Sequence, residues 1–395
     1  MNPRLLRLAA ALLCLAPLLS AAEAPVVPDG PRSELADGLY AEFTTPHGTF
    51  VTELFYQKTP MTCASFVGLA EGMIAPRDGK PFYTGLKWYR VVPGFVIQSG
   101  DPTFAPDKKD EEPDPGHPYS YPDEFVPGLR HGEAGVLSMA NAGPDTNSSE
   151  FFVTLADTTR LNYLHSVFGR TVRGLEVLPK IQQGDAFSIR ILRVGAAAQA
   201  FKADEAAFKA LAEKAPKYSG APEPGATAHF DDPDKILPAD VPRAKNFNFK
   251  LANFQRATGQ RIYARAYTTL PQPAESERIT AAPFAQKLAR DLGIHRNGAL
   301  AVYFADKDDW YLWVGDNLVP AFNPAGGRIT ARKNELYREV KLQAAAHANQ
   351  ARQLRGPDRP LTPADLAKYS VDAMLDALIF TFDPAPSPVP PPAVP

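Results

Sequence analysis

Two segments of the chain place polar side chains among aromatic ones in a pattern that suits a binding or catalytic site. Arg90 and Gln98 lie in the first segment, and Asn141 and Glu150 lie in the second. An arginine supplies a fixed cation that donates hydrogen bonds, and the amides can hold a bound chain. Taken singly, an arginine on a strand is usually a surface charge and a phenylalanine is usually a core residue. The two segments are informative only when they are considered together.

Both segments resemble the active-site strands of the cyclophilins, a family of peptidyl-prolyl cis/trans isomerases. Residues 88–101 contain Pro-Gly-Phe, and residues 138–152 contain Met-Ala-Asn-Ala-Gly-Pro. The resemblance extends over about residues 39–195. It implies a mainly β fold, with a closed eight-stranded antiparallel barrel capped by two short helices.

The chemistry that this resemblance implies is rotation about an X-Pro peptide bond. The barrier to that rotation is about 18–20 kcal/mol, because the bond is partly double. No bond is broken, so a site lowers the barrier by holding the twisted amide better than either planar form. Arg90 occupies the position of the family's catalytic arginine, which would hydrogen-bond the prolyl nitrogen in the twisted state. Neither a cofactor nor a metal ion is implied.

The same resemblance implies a set of substrate-binding residues around the catalytic arginine. Some would form an apolar pocket for the proline ring, and others would hold the peptide beside it. His165 would lie at the edge of the pocket, and a role as acid or base is not expected because no proton is transferred. The set is Phe95, Val96, Gln98, Ala140, Asn141, Glu150, Phe152, Leu161 and His165.

Three residues depart from the family pattern. Tyr89 replaces a histidine, and Arg160 replaces the tryptophan that helps eukaryotic members bind cyclosporin, so weak drug binding is expected. Glu150 replaces a glutamine near Arg90, and a carboxylate there could pair with the guanidinium. Two hypotheses therefore stay open: an active isomerase, or a catalytically weak proline-binding adaptor.

Local patterns support the opening of such a barrel. Residues 38–55 alternate between apolar and polar side chains on both sides of a Pro-His-Gly turn, which predicts a β-hairpin. A helix is then predicted with Thr59 as its cap, Pro60 at its first position and Gly72 at its end. Cys63 lies on its apolar face and is interpreted as a small buried hydrophobe.

The overall charge argues against binding to nucleic acid. The formal net charge is −2 and the isoelectric point is about 6.4. No block of lysine and arginine stands apart from the rest of the sequence, so neither a global nor a local attraction to phosphates is expected.

The first 22 residues resemble an export signal. Arg4 and Arg7 accompany an apolar run over residues 5–19, and small residues follow it. The sequence therefore predicts export, with the periplasm as the destination and no stable membrane insertion after cleavage. Proline-containing unfolded or exported polypeptides are the expected partners. The mature chain would retain Cys63 alone, which allows no intrachain disulfide.

The second half predicts a separate α/β domain. The cyclophilin-like domain is assigned to residues 33–197, a helix and linker to 198–235, the α/β domain to 236–383, and a proline-rich tail to 384–395. Strand, helix and hairpin patterns follow one another after residue 260. The order, with Gly-Ile-His-Arg-Asn-Gly-Ala-Leu before Val-Gly-Asp-Asn-Leu, resembles the TPM domain of exported and thylakoid proteins.

The function of the second half is open between an adaptor and an enzyme. Contact with an envelope protein is the preferred interpretation, and a hydrolase is the alternative. Asp306, Asp308 and Asp309 in the hairpin turn could bind a divalent cation, although a solvated turn explains them as well. The acidic, proline-rich loop at residues 103–124 is interpreted as solvated, with a partner-binding loop as the alternative.

Overall fold

The described part of the chain contains two β-sheets that follow one another in the sequence. The computed structural model describes residues 35–103, 118–273 and 278–383. The predicted signal peptide, most of the acidic loop and the proline-rich tail lie outside these residues. Both sheets belong to one compact unit that begins at Asp37.

The first sheet has eight strands, and every pair of neighbours is antiparallel. The strand order is β3-β4-β6-β5-β7-β2-β1-β8. The predicted hairpin is confirmed as β1 and β2. An isolated bridge between Lys87 and Ala186 joins the segments that precede the two end strands. The closure of this sheet into a barrel remains a prediction. The strands are β1 (Gly38–Thr45), β2 (Gly48–Leu54), β3 (Arg90–Val92), β4 (Val96–Ser99), β5 (Val136–Met139), β6 (Phe151–Thr154), β7 (Val167–Arg173) and β8 (Ser188–Val194).

Helix α1 (Pro60–Glu71) packs against the first sheet, and its start is capped differently from the prediction. Thr59 precedes the helix as expected, but its hydroxyl donates to the carbonyl of Phe55 at 3.1 Å. Glu124 takes over the capping role, because its carboxylate accepts hydrogen bonds from the amides of Met61 at 3.2 Å and Thr62 at 2.8 Å. A carboxylate is favoured there by the helix dipole. The start of α1 is thus fixed by a residue distant in sequence.

The core of the first sheet is aromatic, and its packing fixes β6, the strand that directs Phe152 toward the candidate site. Phe151 on β6 meets Phe66 and Trp88 edge to face, with centroid distances of 5.4 and 5.7 Å. Successive residues of a strand point to opposite faces. Phe152 therefore points away from this core, toward the side where the candidate site lies. Cys63 is buried in the same core, as predicted, and burial raises the pKa of its thiol.

Two helices lead from the first sheet toward the second. Helix α2 (Gly195–Ala200) follows β8 directly, and helix α3 (Glu205–Ala212) packs against α1. Phe208 of α3 contacts the rings of Tyr119 and Tyr121. Helix α3, within the segment predicted as helix and linker, is therefore anchored through Phe208.

The second sheet is mixed, and helices cover it. Its order is β12-β11-β10-β9, with a parallel arrangement of β9, β10 and β11 and an antiparallel β12. We call residues 230–383 the α/β region. Its first strand falls within the predicted linker. The elements are β9 (Phe230–Asp231), α4 (Arg243–Thr258), β10 (Arg261–Tyr267), α5 (Ala281–Asp291), β11 (Gly298–Phe304), β12 (Asp309–Val314), α6 (Val319–Phe322), α7 (Ile329–Arg355) and α8 (Pro363–Phe382).

The described helices include none that is both long enough and apolar enough to span a membrane.

A buried carboxylate joins the α/β region to the first sheet's loops. Asp383, at the end of α8, accepts hydrogen bonds from the Tyr163 hydroxyl at 2.8 Å and from the Gly128 amide at 3.1 Å. Arg130 pairs with the same carboxylate at 3.1 Å, and the Asp383 side chain is 0% exposed. Tyr163 itself is buried beside Phe254 of α4. The two regions are therefore held together by hydrogen bonds and by packing.

We expect Asp383→Ala to lower the free energy of unfolding by about 3 kcal/mol, because removal of one partner leaves a largely buried arginine uncompensated. Urea unfolding of the full chain measures this loss. Asp291→Ala is the matched control, because Asp291 pairs with Lys287 on the surface of α5. The control should leave the unfolding midpoint unchanged within error. Equal midpoints for the two variants would contradict a stabilising role for Asp383.

Candidate active site

The predicted catalytic arginine lies at an exposed position on β3, beside two other predicted site residues. Arg90 pairs in register with Gln98 of β4. Its Nη1 donates to Oε1 of Gln98 at 3.1 Å. The guanidinium carbon also lies 5.8 Å from the centroid of the Phe95 ring. One amide and one aromatic ring therefore orient the guanidinium.

Glu150 is held by Tyr89 and Gln98. The Gln98 Nε2 donates to a carboxylate oxygen of Glu150 at 2.9 Å, and the Tyr89 hydroxyl donates to the same oxygen. Burial, and then the Glu150 charge, raise the pKa of Tyr89, so the phenol stays protonated. Among the described residues, Arg90 makes its hydrogen bond to Gln98. The Gln98 side chain therefore hydrogen-bonds both the Arg90 guanidinium and the Glu150 carboxylate and lies between them.

Phe152 forms a wall between two histidine rings. It is 3% exposed and pairs with Gln98 across β4 and β6. The His131 ring stacks on it with a centroid distance of 5.7 Å, and His165 meets it edge to face at 5.4 Å. Val96 is also buried on β4. This packing leaves Phe152 little freedom to move.

His165 is neutral at physiological pH. Its Nδ1 lies 3.0 Å from the carbonyl oxygen of Met139 and donates to it. Burial lowers the pKa of His165 to about 4. The residue therefore supplies an apolar edge and a fixed tautomer, which agrees with a reaction that transfers no proton.

The segment after β5 is tied to its neighbours mostly through main-chain groups. The Ala140 amide donates to the Glu150 carbonyl at 3.0 Å. The Asn141 side chain donates to the carbonyl of Leu164 at 2.8 Å, so it positions the chain just before His165. Leu161 is half-buried at the end of a short 3-10 helix.

One site residue carries no signal in the sequence motifs. His131 is fully buried, and its ring nitrogens lie 3.0 Å from Oδ1 of Asn162 and 2.9 Å from Oγ of Ser138. Burial lowers the pKa of His131 to about 3. Its ring stacks on Phe152 and limits the movement of that side chain. A lone histidine outside both motifs could not have been assigned this role from sequence.

The α/β region borders the site. Helix α4 contributes Lys245, Asn246 and Phe249 to a cleft of about 360 Å³ whose other wall includes Asn141 and His165. On that side Asn141 and His165 therefore lie within a cleft that α4 helps to form.

The Asp308 carboxylate, one of three candidate cation ligands in the hairpin turn, is already engaged by protein groups. It accepts hydrogen bonds from the hydroxyls of Tyr303 at 2.9 Å and Ser370 at 2.7 Å, and it pairs with Lys341 at 3.1 Å. Within the described residues, no group of three or more metal-ligating side chains is found.

His131 makes stability depend on pH in a direction that can be worked out. The unfolded chain binds a proton near pH 6.5, whereas the folded protein binds it only near pH 3. As the pH falls below 6.5, the unfolded state gains a proton that the folded state does not, so the free energy of unfolding decreases. We expect the stability advantage of wild type over His131→Gln to shrink by about 2 kcal/mol between pH 7 and pH 5. Urea unfolding of both proteins at each pH measures it, and the comparison cancels the titration of other groups. A constant difference would contradict the assignment.

Comparisons with known proteins agree with this geometry. The family model of the cyclophilin-type peptidyl-prolyl cis-trans isomerases matches residues 40–196. Peptidyl-prolyl cis-trans isomerase-like 1 of Aspergillus fumigatus is 38% identical over 139 residues, which cover 35% of this chain and 79% of the relative. Peptidyl-prolyl cis-trans isomerase ppi1 of Schizosaccharomyces pombe is 41% identical over 148 residues, covering 35% and 83% of the two chains.

A solved structure of a cyclophilin-type isomerase from Cryptosporidium parvum covers 41% of this chain and 99% of its own, with 26% identity and a TM-score of 0.33. The family match includes the part of the chain that carries Arg90 and Phe152, and each of the two relatives is matched over more than two thirds of its length. The chain therefore belongs to the cyclophilin-type peptidyl-prolyl cis-trans isomerase family, and it is an enzyme of that class.

Proposed function

We propose that this isomerase acts on proline-containing segments of exported proteins, with Arg90 as its catalytic residue. The observation that carries the proposal is the position of the Arg90 guanidinium, exposed on β3 and held by Gln98 beside the Phe95 ring. A cation fixed at the edge of an apolar wall is suited to a substrate whose charge distribution changes at one nitrogen atom.

The mechanism follows from what happens to the amide when it twists. Conjugation is lost, and the prolyl nitrogen gains a lone pair that can accept a hydrogen bond. An N–H group of Arg90 would donate to that nitrogen only in the twisted state, so the interaction favours the transition state over both planar forms. Because Gln98 already orients the guanidinium, little reorganisation is needed when the amide rotates.

The remaining residues would bind the peptide around the rotating bond. The proline ring would pack against Phe95, Val96, Phe152 and Leu161, with the neutral His165 at the edge. Gln98 and the main chain at Ala140 and Asn141 would hold the flanking peptide groups. Glu150 would act through Gln98, by fixing the orientation of its amide.

The chain's location and its second region are part of the same proposal. The positively charged and apolar N-terminal sequence supports export to the periplasm. The order of β10, α5, β11 and β12 supports a TPM-like assignment for the α/β region. We propose that this region contacts client polypeptides or an envelope protein. The expected clients are unfolded chains that contain proline.

A second candidate function is binding without useful turnover. The observation in its favour is the carboxylate of Glu150 within hydrogen-bonding distance of Gln98, the same residue that holds Arg90. In this case the protein would grip proline segments as an adaptor, and catalysis would be weak because negative charge near the guanidinium reduces its pull on the prolyl nitrogen.

We expect Arg90→Ala to lower kcat/KM for cis/trans exchange of an Ala-Pro peptide by at least about 100-fold, since the charged donor acts in the transition state. Exchange spectroscopy by NMR on the mature protein measures the rate. Arg170→Ala is the matched control, because Arg170 is an exposed arginine of the same sheet, paired with Glu53. A rate for Arg90→Ala equal to that of the control would refute the catalytic role.

The Glu150→Gln variant separates the two candidate functions. If the wild type is an active isomerase, we expect the variant to change kcat/KM by less than about tenfold, because the hydrogen bond to Gln98 can persist without the charge. If the wild type binds prolyl peptides without turnover and the variant restores exchange, the adaptor is the correct function. Peptide binding, measured by titration calorimetry beside the exchange assay, tells an inactive binder from an unfolded protein.

A further inference from the structure

A cleft between the active site and α7 continues the proposed proline pocket. Its volume is about 320 Å³. Because Phe95 belongs both to the proposed pocket and to this cleft, a polypeptide bound at the pocket can place its neighbouring residues there. The lining residues used below are Phe95, Arg160, Gln343, His347 and Gln350.

Arg160 contributes hydrogen-bond donors to this cleft. Its guanidinium carbon lies 4.3 Å from the centroid of the Phe95 ring, so the planar group covers part of the ring. In the part of the chain that the structure describes, no residue accepts a hydrogen bond from this guanidinium or forms an ion pair with it. A guanidinium carries five N–H groups, and a half-buried one gains most from an oxygen acceptor. The N–H groups of Arg160 are therefore available to donate to an oxygen atom of a bound ligand.

The facing wall is a polar stripe on α7. Gln343, His347 and Gln350 are spaced by four and three residues, so they share one face of the helix. The Nδ1 of His347 is buried and has no hydrogen-bond partner among the described residues. Burial lowers the pKa of His347, which keeps the ring neutral and able to donate and accept. Amide and imidazole groups of this kind match the main-chain groups of an extended peptide.

We propose that this cleft is an extended substrate site, in which Arg160 and the α7 stripe bind the residues flanking the target proline. The ligand chemistry is an oxygen acceptor at Arg160, either a main-chain carbonyl or a carboxylate side chain, with main-chain amide groups along α7. The inference rests on the proposed function of the neighbouring pocket. It assigns the α/β region a direct part in substrate selection, because one whole wall of the cleft belongs to α7.

The test compares two substrates on the full-length protein. One is an acetylated Ala-Pro amide that reaches only the pocket, and the other is an eight-residue peptide with three residues on each side of Ala-Pro. We expect wild type to show kcat/KM about tenfold higher for the longer peptide, the advantage that a charge-assisted hydrogen bond and its neighbours would give. The quantity to compare between proteins is kcat/KM for the longer peptide divided by kcat/KM for the short amide.

Variants on both walls should reduce that ratio toward one. We expect this of Arg160→Ala and of the double variant His347→Ala/Gln350→Ala. Leu342→Ala is the control on α7, because Leu342 is 67% exposed and is not part of the cleft. Circular dichroism and unfolding midpoints confirm that each variant is folded. A ratio that stays at the wild-type value in both sets of variants would overturn the extended site.

Peptides with alanine, glutamine or glutamate at each flanking position identify the acceptor. A preference for glutamate that disappears in Arg160→Ala assigns a carboxylate, and equal rates for the three peptides assign a main-chain carbonyl. If wild type turns over the short amide but gains nothing from the longer peptide, the extended site is wrong and the isomerase stands. If neither substrate is turned over, the proposed function itself fails.

Discussion

The structure depends on one short segment, residues 157–165, that links the core of the α/β region to the candidate active site. Tyr163 is buried with Phe254 in the core of the α/β region, and its hydroxyl reaches the buried Asp383. His165, two residues after it, meets the Phe152 ring edge to face. Tyr163 also adopts a φ of 60°, a left-handed conformation that costs about 1 kcal/mol for a residue other than glycine. Burial of its ring and its hydrogen bond offset that cost, and they fix the segment's course past the pocket.

The second constraint is electrostatic, and it lies at the centre of α4. Lys250 is fully buried and lies between Asp372 and Asp376 of α8. Burial alone would lower the pKa of this lysine, but the two carboxylates raise it above its ordinary value. The ammonium therefore stays charged, and α4 is held against α8 by charges that could not be separated without leaving one of them unpaired. The same helix carries Phe249 to a cleft beside Asn141 and His165, so this pairing fixes one wall of that cleft.

The sequence predicts the elements whose stabilising contacts are local. The hairpin of β1 and β2 follows from strict alternation, and α8 begins at the capping box formed by Thr362 and Asp365. Site residues on the two motif strands could be proposed one by one because the family pattern is dense there. Helix α4 was not predicted, because its buried residues include Lys250 and two asparagines, which interrupt the apolar stripe that indicates a helix. Three other features depend on contacts between residues far apart in sequence. They are the capping of α1 by Glu124, the position of His131 beside Phe152, and the hydrogen bonds that join the two regions.

The link between Tyr163 and Asp383 has a consequence for how the protein matures. During synthesis the first sheet can form once β8 has emerged, since β8 pairs with β1. The partner of Tyr163 follows 220 residues later. Until then the segment beside the pocket lacks the contacts that set its conformation. Contacts between such distant residues form late because a long loop must close first. We therefore expect the active site to become competent only after the end of α8 has docked.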